Sequence, residues 1–525
     1  MNKKYTEEQI LFVSSLVKDP VNPMLVTPAT ELMCKHFDLV YTETVGRSFR
    51  RIMQAKGITK GGAKLEDSKE FKKAAKKQFD KRRKSFVIGW AQNNTPVNKK
   101  VLESMLAYGK FHKSGIHVIA GRYKNPTSIW TMGQQSEEHW DRAVLPYLDA
   151  NRHNLHKFLQ ILSDIKMPPT ASTPLSGMNG ITGLESCVIG HPRMHLKSLP
   201  VLDGYPSKLL LTTGALTEQN YTDSGSGKKG EFHHQFGFVF VELDGDIFHI
   251  RQISVEEDGT FYDLCYKVVD GVVYDNTEGV EVIVLGDIHN LSTDPVAMKV
   301  SAKQLDYFKP NHTIVHDLQD AGEVNPHERK DPFILLEKEE RGLTLKGEMD
   351  AMVEWLHRYK RHNLVVVRSN HDEFVDRFLL EDWRKQPNKL MYLKYASAVA
   401  EGLAPKGIVP YIIDKEFGGE VRALGIDDSY RVLDWELGVH GHLGASGSRG
   451  SANQFKNLNT KNVTGHTHAP IRLDGHVSVG TLTYKRLGYN KGMSPWMQTN
   501  FFIYPNGKGQ HVHIIRGKIS TFKLW

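Results

Sequence analysis

Cysteine is nearly absent from these 525 residues: Cys34, Cys187 and Cys265 stand far apart and are odd in number. That fits a reducing cytosol and excludes a disulfide framework or a cysteine zinc cluster. Long apolar runs are missing too. None approaches the roughly 18 residues a membrane span needs, so no membrane partner is expected. The opening MNKKYTEEQI has no apolar stretch behind its lysines, so it does not read as a secretory signal. Neither a low-complexity block nor an internal repeat is evident. The expectation is a cytoplasmic protein.

The rest of the composition is that of a folded chain, with 40% hydrophobic and 24% charged residues, and the length calls for two or three cores. The net charge of +8 is unevenly placed. Residues 1–84 carry 19 Lys and Arg against 10 Asp and Glu, and the remainder is close to neutral. A basic end on a neutral body points to a polyanion such as DNA.

That end reads as three short helices. Thr6 and Gln9 have capping-box spacing, Thr27-Pro28 opens a second helix, and TETVGRSFRRIMQAKG from Thr42 to Gly57 makes a third. In the third, Val45, Phe49, Ile52 and Met53 share a face, and Arg47, Arg50 and Arg51 lie largely on another. A helix-turn-helix recognition helix needs this pattern, and so does an ordinary three-helix bundle. Lys72, Lys73, Lys76 and Lys77 then form a stripe that could neutralise phosphates without reading sequence. From Ser85 the pattern becomes strand, helix, strand ("SFVIGWAQ", "NKKVLESMLAYGKFH", "GIHVIAG"), and an α/β region of unassigned role runs to residue 275. Its GSGKKG run is no phosphate loop, because Thr222 stands where the first Gly is required and Lys229 replaces the Ser or Thr. His233-His234 reads as a satisfied pair.

From Glu278 onward one pattern occurs five times: a short β-rich run, then a cluster of metal-ligand type. VEVIVLGDIHN ends in Asp287 and His289. HTIVHDLQDAG ends in Asp317 and Asp320. NLVVVRSNHDEF ends in Asn370, His371 and Asp372. DWELGVHGHLG ends in His440 and His442, and KNVTGHTHAP in His466 and His468. Each alone is an ordinary strand-end polar residue. Together they can converge, because ligands collect at the carboxyl ends of strands in open α/β sheets.

The series GD-x-H, D-x-x-D-x-G, NHD, HGH and GHTH resembles the calcineurin-like metallophosphoesterase superfamily, over about residues 278 to 525. That resemblance implies an α/β/β/α sandwich holding two divalent metals. Asp287, His289 and His468 would bind the first, Asn370, His440 and His466 the second, and Asp317 would bridge them. His371 would be the catalytic acid and Asp320 the carboxylate that orients it. His440 is the expected ligand of HGH, which leaves His442 to support the ligands or touch substrate, and Arg449 is placed to meet a phosphate. Mixed carboxylate, amide and imidazole donors suit manganese, with iron or zinc as alternatives.

Three departures from the family pattern stand out: His316 and Ser369 replace glycines, and Ala321 stands where phosphoprotein phosphatases carry a phosphate-clamping arginine. The missing guanidinium favours a diester over a dianionic monoester, unless Arg329 or Arg368 substitutes for it. The expectation is therefore an α/β protein in three parts. Residues 1–84 form a basic, helix-turn-helix-like DNA-binding region, 85–275 an α/β domain, and 276–525 the metallophosphoesterase domain, closest to the SbcD-type nucleases. The whole architecture resembles phage proteins made early in infection that degrade or help transfer DNA. On that resemblance it would act in the host cytoplasm as a metal-dependent DNase; a homo-oligomer is left open. The alternatives are a phosphatase or cyclic-nucleotide phosphodiesterase, or a non-catalytic DNA-binding regulator.

Overall fold

The computed structural model describes residues 5–18, 26–56, 82–127, 139–329, 331–385, 388–458, 460–487 and 490–522. Helices Glu7–Lys18, Val26–His36 and Glu43–Ala55 pack around Val13, Val17, Ala29, Met33, Phe49 and Met53. The Thr6–Gln9 capping box forms: Thr6 N–H donates to Gln9 Oε1 at 3.0 Å, and Gln9 N–H to Thr6 Oγ1 at 3.3 Å. The second helix starts at Val26, two residues before the Pro28 that a Thr27 cap would make its first helical residue.

The body is mixed α/β and contains a structural repeat. Its first unit holds β1 (Ser85–Gln92), β2 (Gly115–Gly121), β3 (Leu148–Asp149), β4 (Arg152–His156) and β5 (Leu159–Leu162). It continues with β6 (Ser186–Ile189), β7 (Leu196–Leu199), β8 (Lys208–Thr212), β9 (Gly237–Asp244) and β10 (Ile247–Ser254). A small antiparallel sheet follows, β11 (Phe261–Asp263), β12 (Tyr266–Val269) and β13 (Val272–Asp275). The second unit holds β14 (Val282–Val284), β15 (His312–Val315), β16 (Leu364–Val366), β17 (Arg422–Ala423), β18 (Arg431–Val432) and β19 (Trp435–Glu436). It ends with β20 (Lys461–Thr464), β21 (Ile471–Leu473), β22 (His476–Ser478), β23 (Thr499–Ile503) and β24 (Gly509–His513).

One sheet of the first unit runs β10-β9-β1-β2-β3, and its counterpart runs β24-β23-β14-β15-β16-β17. The remaining strands join in a single ten-stranded sheet, β4-β5-β6-β8-β7-β21-β22-β20-β19-β18, whose two halves are mirror orders of equivalent strands. Parallel and antiparallel pairings match strand for strand, for example β5·β6 with β19·β20, and β7·β8 with β21·β22. After β1 comes helix Lys99–Phe111 capped by Asn98, and after β14 comes helix Pro295–Phe308 capped by Asp294. Even the bond into the cap repeats, with Asn98 N–H to the Leu216 carbonyl at 2.8 Å and Asp294 N–H to that of Leu482 at 2.9 Å. The reading of no internal repeat is thus corrected. The repeat lies in strand order and pairing, which any β-rich apolar run can satisfy, and residue identity has not kept it.

Period-two alternation explains the layers. In β14, Val282 and Val284 face the ten-stranded sheet and meet Val463, Val477 and Trp435, whereas Ile283 faces helices through Leu305, Met352 and Ile413. In β1, Phe86 and Ile88 meet Ile161, Val188 and Leu211, whereas Val87 packs on Val101 and Met105. The chain boundary after Asp275 is therefore no gap in the structure, because β7 and β21 pair antiparallel across the units. The C-terminal residues also return to the first unit. Ser520 Oγ and Thr521 N–H donate to Glu242, and Phe522 stacks on His112. Beneath them buried Arg251 pairs with Glu242 and Asp263, and Gln510 donates to Asp263 at 2.9 Å.

Candidate metal centre

Parallel strands β14, β15 and β16 deliver three of the five clusters to one edge, and the β19 and β20 ends deliver the other two. Asp287 and His289 follow β14, Asp317 follows β15, Asn370 opens the helix Asn370–Phe378 after β16, His440 follows β19, and His466 and His468 follow β20. Asp287, His289, Asp317 and His468 form one group with donor atoms within 4.8 Å of one another, and Asp317, His440 and His466 form a second. Asp317 belongs to both. Its Oδ2 lies 3.5 Å from His289 Nε2 and 3.2 Å from His440 Nε2. Asn370 Oδ1 lies 3.2 Å from His440 Nε2 and 3.1 Å from His466 Nδ1, so the amide faces the second group.

The backbone is strained into place here. His289, Asp317, His466 and His468 all have left-handed φ, between 44° and 68°, a region that costs a non-glycine residue about 1–3 kcal/mol. Gly465 is required for another reason: a Cβ there would sit 2.1 Å from Asp287 Oδ1.

The donors suit a cation. His289 Nδ1 is 2.8 Å from Asp320, which holds a proton there and makes Nε2, 3.0 Å from His468 Nε2, the nitrogen turned to the centre. Both oxygens of Asp287, Oδ1 of Asp317 and Nδ1 of His468 are buried without a hydrogen bond of good geometry. His468 Nε2 does lie at ion-pair distance, 3.0 Å, from Asp287 Oδ2. Buried polar atoms are ordinarily satisfied, so such a cluster of orphans fits a bound ion. Burial pushes the Asp287 carboxyl up to about 7, with Asp317 adding to the shift and His440 and His289 opposing it. Burial opposes ionisation of Asp317 as well, yet the imidazoles of His440, His371 and His289 hold it well below the usual range. Burial would depress His289, but Asp317 and Asp320 lift it to about 9, so a bound cation would have to displace the Nε2 proton before that nitrogen could serve as a donor. Desolvation keeps His466 down at about 3 and drives His468 well below the ordinary value, so both imidazoles are neutral, as ligation requires.

The surrounding residues divide between those placed near the centre and those drawn elsewhere. The Asp320 carboxylate points at His289, and it is the Asp320 main-chain carbonyl that accepts from His371 Nδ1 at 2.7 Å. The expectation that the carboxylate orients His371 is corrected on this point, since the loop turns that side chain towards the ligand. His442 is held by Glu373 at 3.1 Å and lines a cavity of about 890 Å³ over the centre, together with His371, Arg377, Arg449, Lys491 and Trp496. Neither Arg329 nor Arg368 substitutes for the missing arginine: Arg329 forks onto Glu381, and Arg368 binds Asp376 and the Lys406 carbonyl. Ser369 in place of glycine has a local reason. It caps the helix Asn370–Phe378 in a capping box with Asp372 and so fixes Asn370 at the first turn. His316 packs its ring beside His440. Sequence reasoning missed Glu348, whose carboxylate accepts from Gly322 and Glu323 N–H and holds the Asp320 loop, and Trp496, whose ring lies 4.1 Å from that of His468. Neither has a motif. Glu373 was findable, three residues into the helix that Asn370 opens.

At the basic end, Arg47 pairs with Glu43 at 3.0 Å, Arg50 reaches back to the Gly46 carbonyl, and Arg51 is exposed. Lys72, Lys73, Lys76 and Lys77 lie outside the described residues. His234 is satisfied by Tyr221 and the Thr217 carbonyl. No helix among the described residues is long and apolar enough to cross a membrane.

Buried carboxylates and imidazoles that could hold metal ions thus sit at the strand ends of the second unit of a mixed α/β protein. The chain is 30% identical to protein A1 of Escherichia phage T5 over 465 residues, 83% of each chain, and belongs to the family of that phage protein. No protein-family model matches the chain, and no solved structure matches it.

Proposed function

We propose that the chain is a two-metal phosphodiesterase of the calcineurin-like class that hydrolyses DNA. The observation that carries this reading is the convergence of Asp287, His289, Asp317, Asn370, His440, His466 and His468 into two groups sharing Asp317. Divalent cations, when bound, supply Lewis acidity at phosphate oxygens; manganese suits these donors, with iron or zinc as alternatives. The first ion would take Asp287, His289 and His468, the second Asn370, His440 and His466, with Asp317 between them.

The chain's own residues complete the chemistry. The Asp320 carbonyl holds the His371 Nδ1 proton, which leaves Nε2 to serve the reacting group. His371 lines the cavity and, when protonated, donates to the leaving oxygen. Asp320 fixes the tautomer of His289. A diester is favoured because Ala321 supplies no guanidinium and Arg329 and Arg368 are engaged elsewhere. The basic residues 1–84, including Arg47, Arg50 and Arg51, would tether DNA, and the kinship to a phage protein agrees with action in the host cytoplasm.

The test is activity with manganese on linear and circular DNA, bis-p-nitrophenyl phosphate and p-nitrophenyl phosphate. Diesters should be cleaved and the monoester poorly. His371→Ala should lower turnover by about 10²–10⁴-fold with metal content retained. Hydrolysis of the monoester alone, or unchanged DNA cleavage by the variant, would refute the reading.

A further inference from the structure

The Asp320 turn is gripped by the long connection between β15 and β16. Glu348, buried in the helix Leu345–Tyr359, accepts from Gly322 N–H at 2.7 Å and from Glu323 N–H at 3.3 Å. The grip is returned: the Glu323 carboxylate accepts from Leu345 N–H, one of the donors that the first turn of a helix leaves open. From the helix Pro332–Glu340, Lys338 Nζ donates to the Gly322 carbonyl and pairs with Glu328. Side chains thus hold Gly322 at both its N–H and its carbonyl, and a Cβ there would sit 3.0 Å from Lys338 Nζ. Beside it Ala321 has a left-handed φ of 46°, which sets the direction of the Asp320–Ala321 peptide against the clamped glycine. That peptide carries the carbonyl to which His371 Nδ1 bonds at 2.7 Å. A carboxylate can follow a moving imidazole by turning about its own side-chain bonds. A carbonyl in a planar peptide turns only with the backbone.

We propose that Glu348 is a positioning residue for His371: with Lys338 and Glu323 it locks the turn at Ala321–Gly322, so that the Asp320 carbonyl holds Nδ1–H and aims Nε2–H at the leaving oxygen. The proposal rests on the phosphodiesterase reading of the centre. As water forms the new P–O bond and the sugar oxygen leaves, the Nε2 proton passes to that oxygen. The demand on the clamp therefore follows the leaving group. A sugar alkoxide is a strong base and leaves with a proton, whereas p-nitrophenolate is a weak base and leaves without one.

The experiment measures kcat and KM of the full chain, saturated with manganese, on linear DNA and on bis-p-nitrophenyl phosphate. Glu348→Ala should lower kcat on DNA about 10- to 100-fold with KM and metal content unchanged, and kcat on bis-p-nitrophenyl phosphate less than about twofold. Glu348→Gln keeps one acceptor for Gly322 N–H and should recover most of the loss. Lys338 is only partly buried, so Lys338→Met serves where Glu348→Ala does not fold, and should cost DNA turnover severalfold with the same selectivity. Equal losses on the two substrates, or unchanged DNA turnover, would overturn the proposal and leave Glu348 a packing residue. If the wild type cleaves neither substrate, the phosphodiesterase reading fails, and the ¹⁵N signals of His371 decide the positioning. In the zinc-loaded chain, labelled on histidine and assigned with His371→Ala, the neutral ring should carry its proton on Nδ1. Glu348→Ala should spread that proton over both nitrogens, and signals left unchanged by the substitution would overturn the clamp.

Discussion

The two units share strand order and pairing, yet among the described residues only the second has a centre that could hold metal. Where Asp287 stands after β14, with the Leu482 N–H on its carbonyl, Trp90 stands near the end of β1 with the Leu216 N–H on its own. Where Gly465-His466-Thr467-His468 follows β20, Gly190-His191-Pro192-Arg193 follows β6. His191 is spent on local bonds, its Nε2 at the Pro168 carbonyl and its Nδ1 receiving the Arg193 N–H. The other strand ends of the first unit are closed by amides. Asn220 accepts from Asn125 and donates to Thr95, and Gln92 donates to the Asn220 carbonyl. Amides carry donor and acceptor together and satisfy one another. Carboxylates and neutral imidazoles crowded together offer acceptors without matching donors, and the orphaned atoms around Asp287, Asp317 and His468 follow from that. The fold supplies the address, and the residue types at it decide whether an ion fits.

The largest expected effect separates the two addresses directly. Asp287→Asn or His440→Ala should reduce diesterase activity by more than about 100-fold, since groups merely behind metal ligands already cost about 10–100-fold. His191→Ala, at the equivalent place in the first unit, should leave activity and a content of two metals per chain unchanged by elemental analysis. Four metals per chain would break the comparison.

A second change tests how firmly the units are joined. Arg251→Met leaves Glu242 and Asp263 buried and unpaired, and should cost about 3–5 kcal/mol in denaturant unfolding. Because the ten-stranded sheet spans both units, the loss should appear in a single transition. Separate melting of the two units would contradict the shared sheet.

The smallest effect is in pH. Burial holds His191 and His511 down at about 3, and His234, His249 and His476 at about 4. These depressed values contribute stability that is present above the unfolded value near ~6.5 and lost as pH falls toward 4, because the unfolded chain takes up the protons. Glu348 and Asp287, each raised to about 7 by burial, act in the opposite sense, their contributions falling as pH rises from about 4 to 7. The histidines outnumber them, so Tm should drop between pH 6.5 and 4.5. A Tm that rises over that interval would show that the buried carboxyls dominate.

Much of the centre was legible in the chain. Short apolar runs ending in Asp, Asn or His gave every donor of both groups, because strand ends are where a sheet presents side chains and these side chains have little other reason to cluster. Three-helix reading of the basic end also needed only local signals: the Thr6–Gln9 box and the apolar face with Phe49 and Met53. What was not legible depended on distance. The Asp320 loop could turn its carboxylate to His289 or to His371, and only the folded chain chose. Arg329 looked available until Glu381, 52 residues on, proved to hold it.

By itself, then, the sequence determined which residue types stand at which strand ends, since periodicity and donor chemistry are local. The tertiary structure alone decided that β1 to β10 repeat the topology of the second unit, that β7 and β21 fuse the two, and that Val201 reaches across to Ser494. Strand pairing and side-chain destination join residues hundreds of positions apart. No short window of sequence contains them.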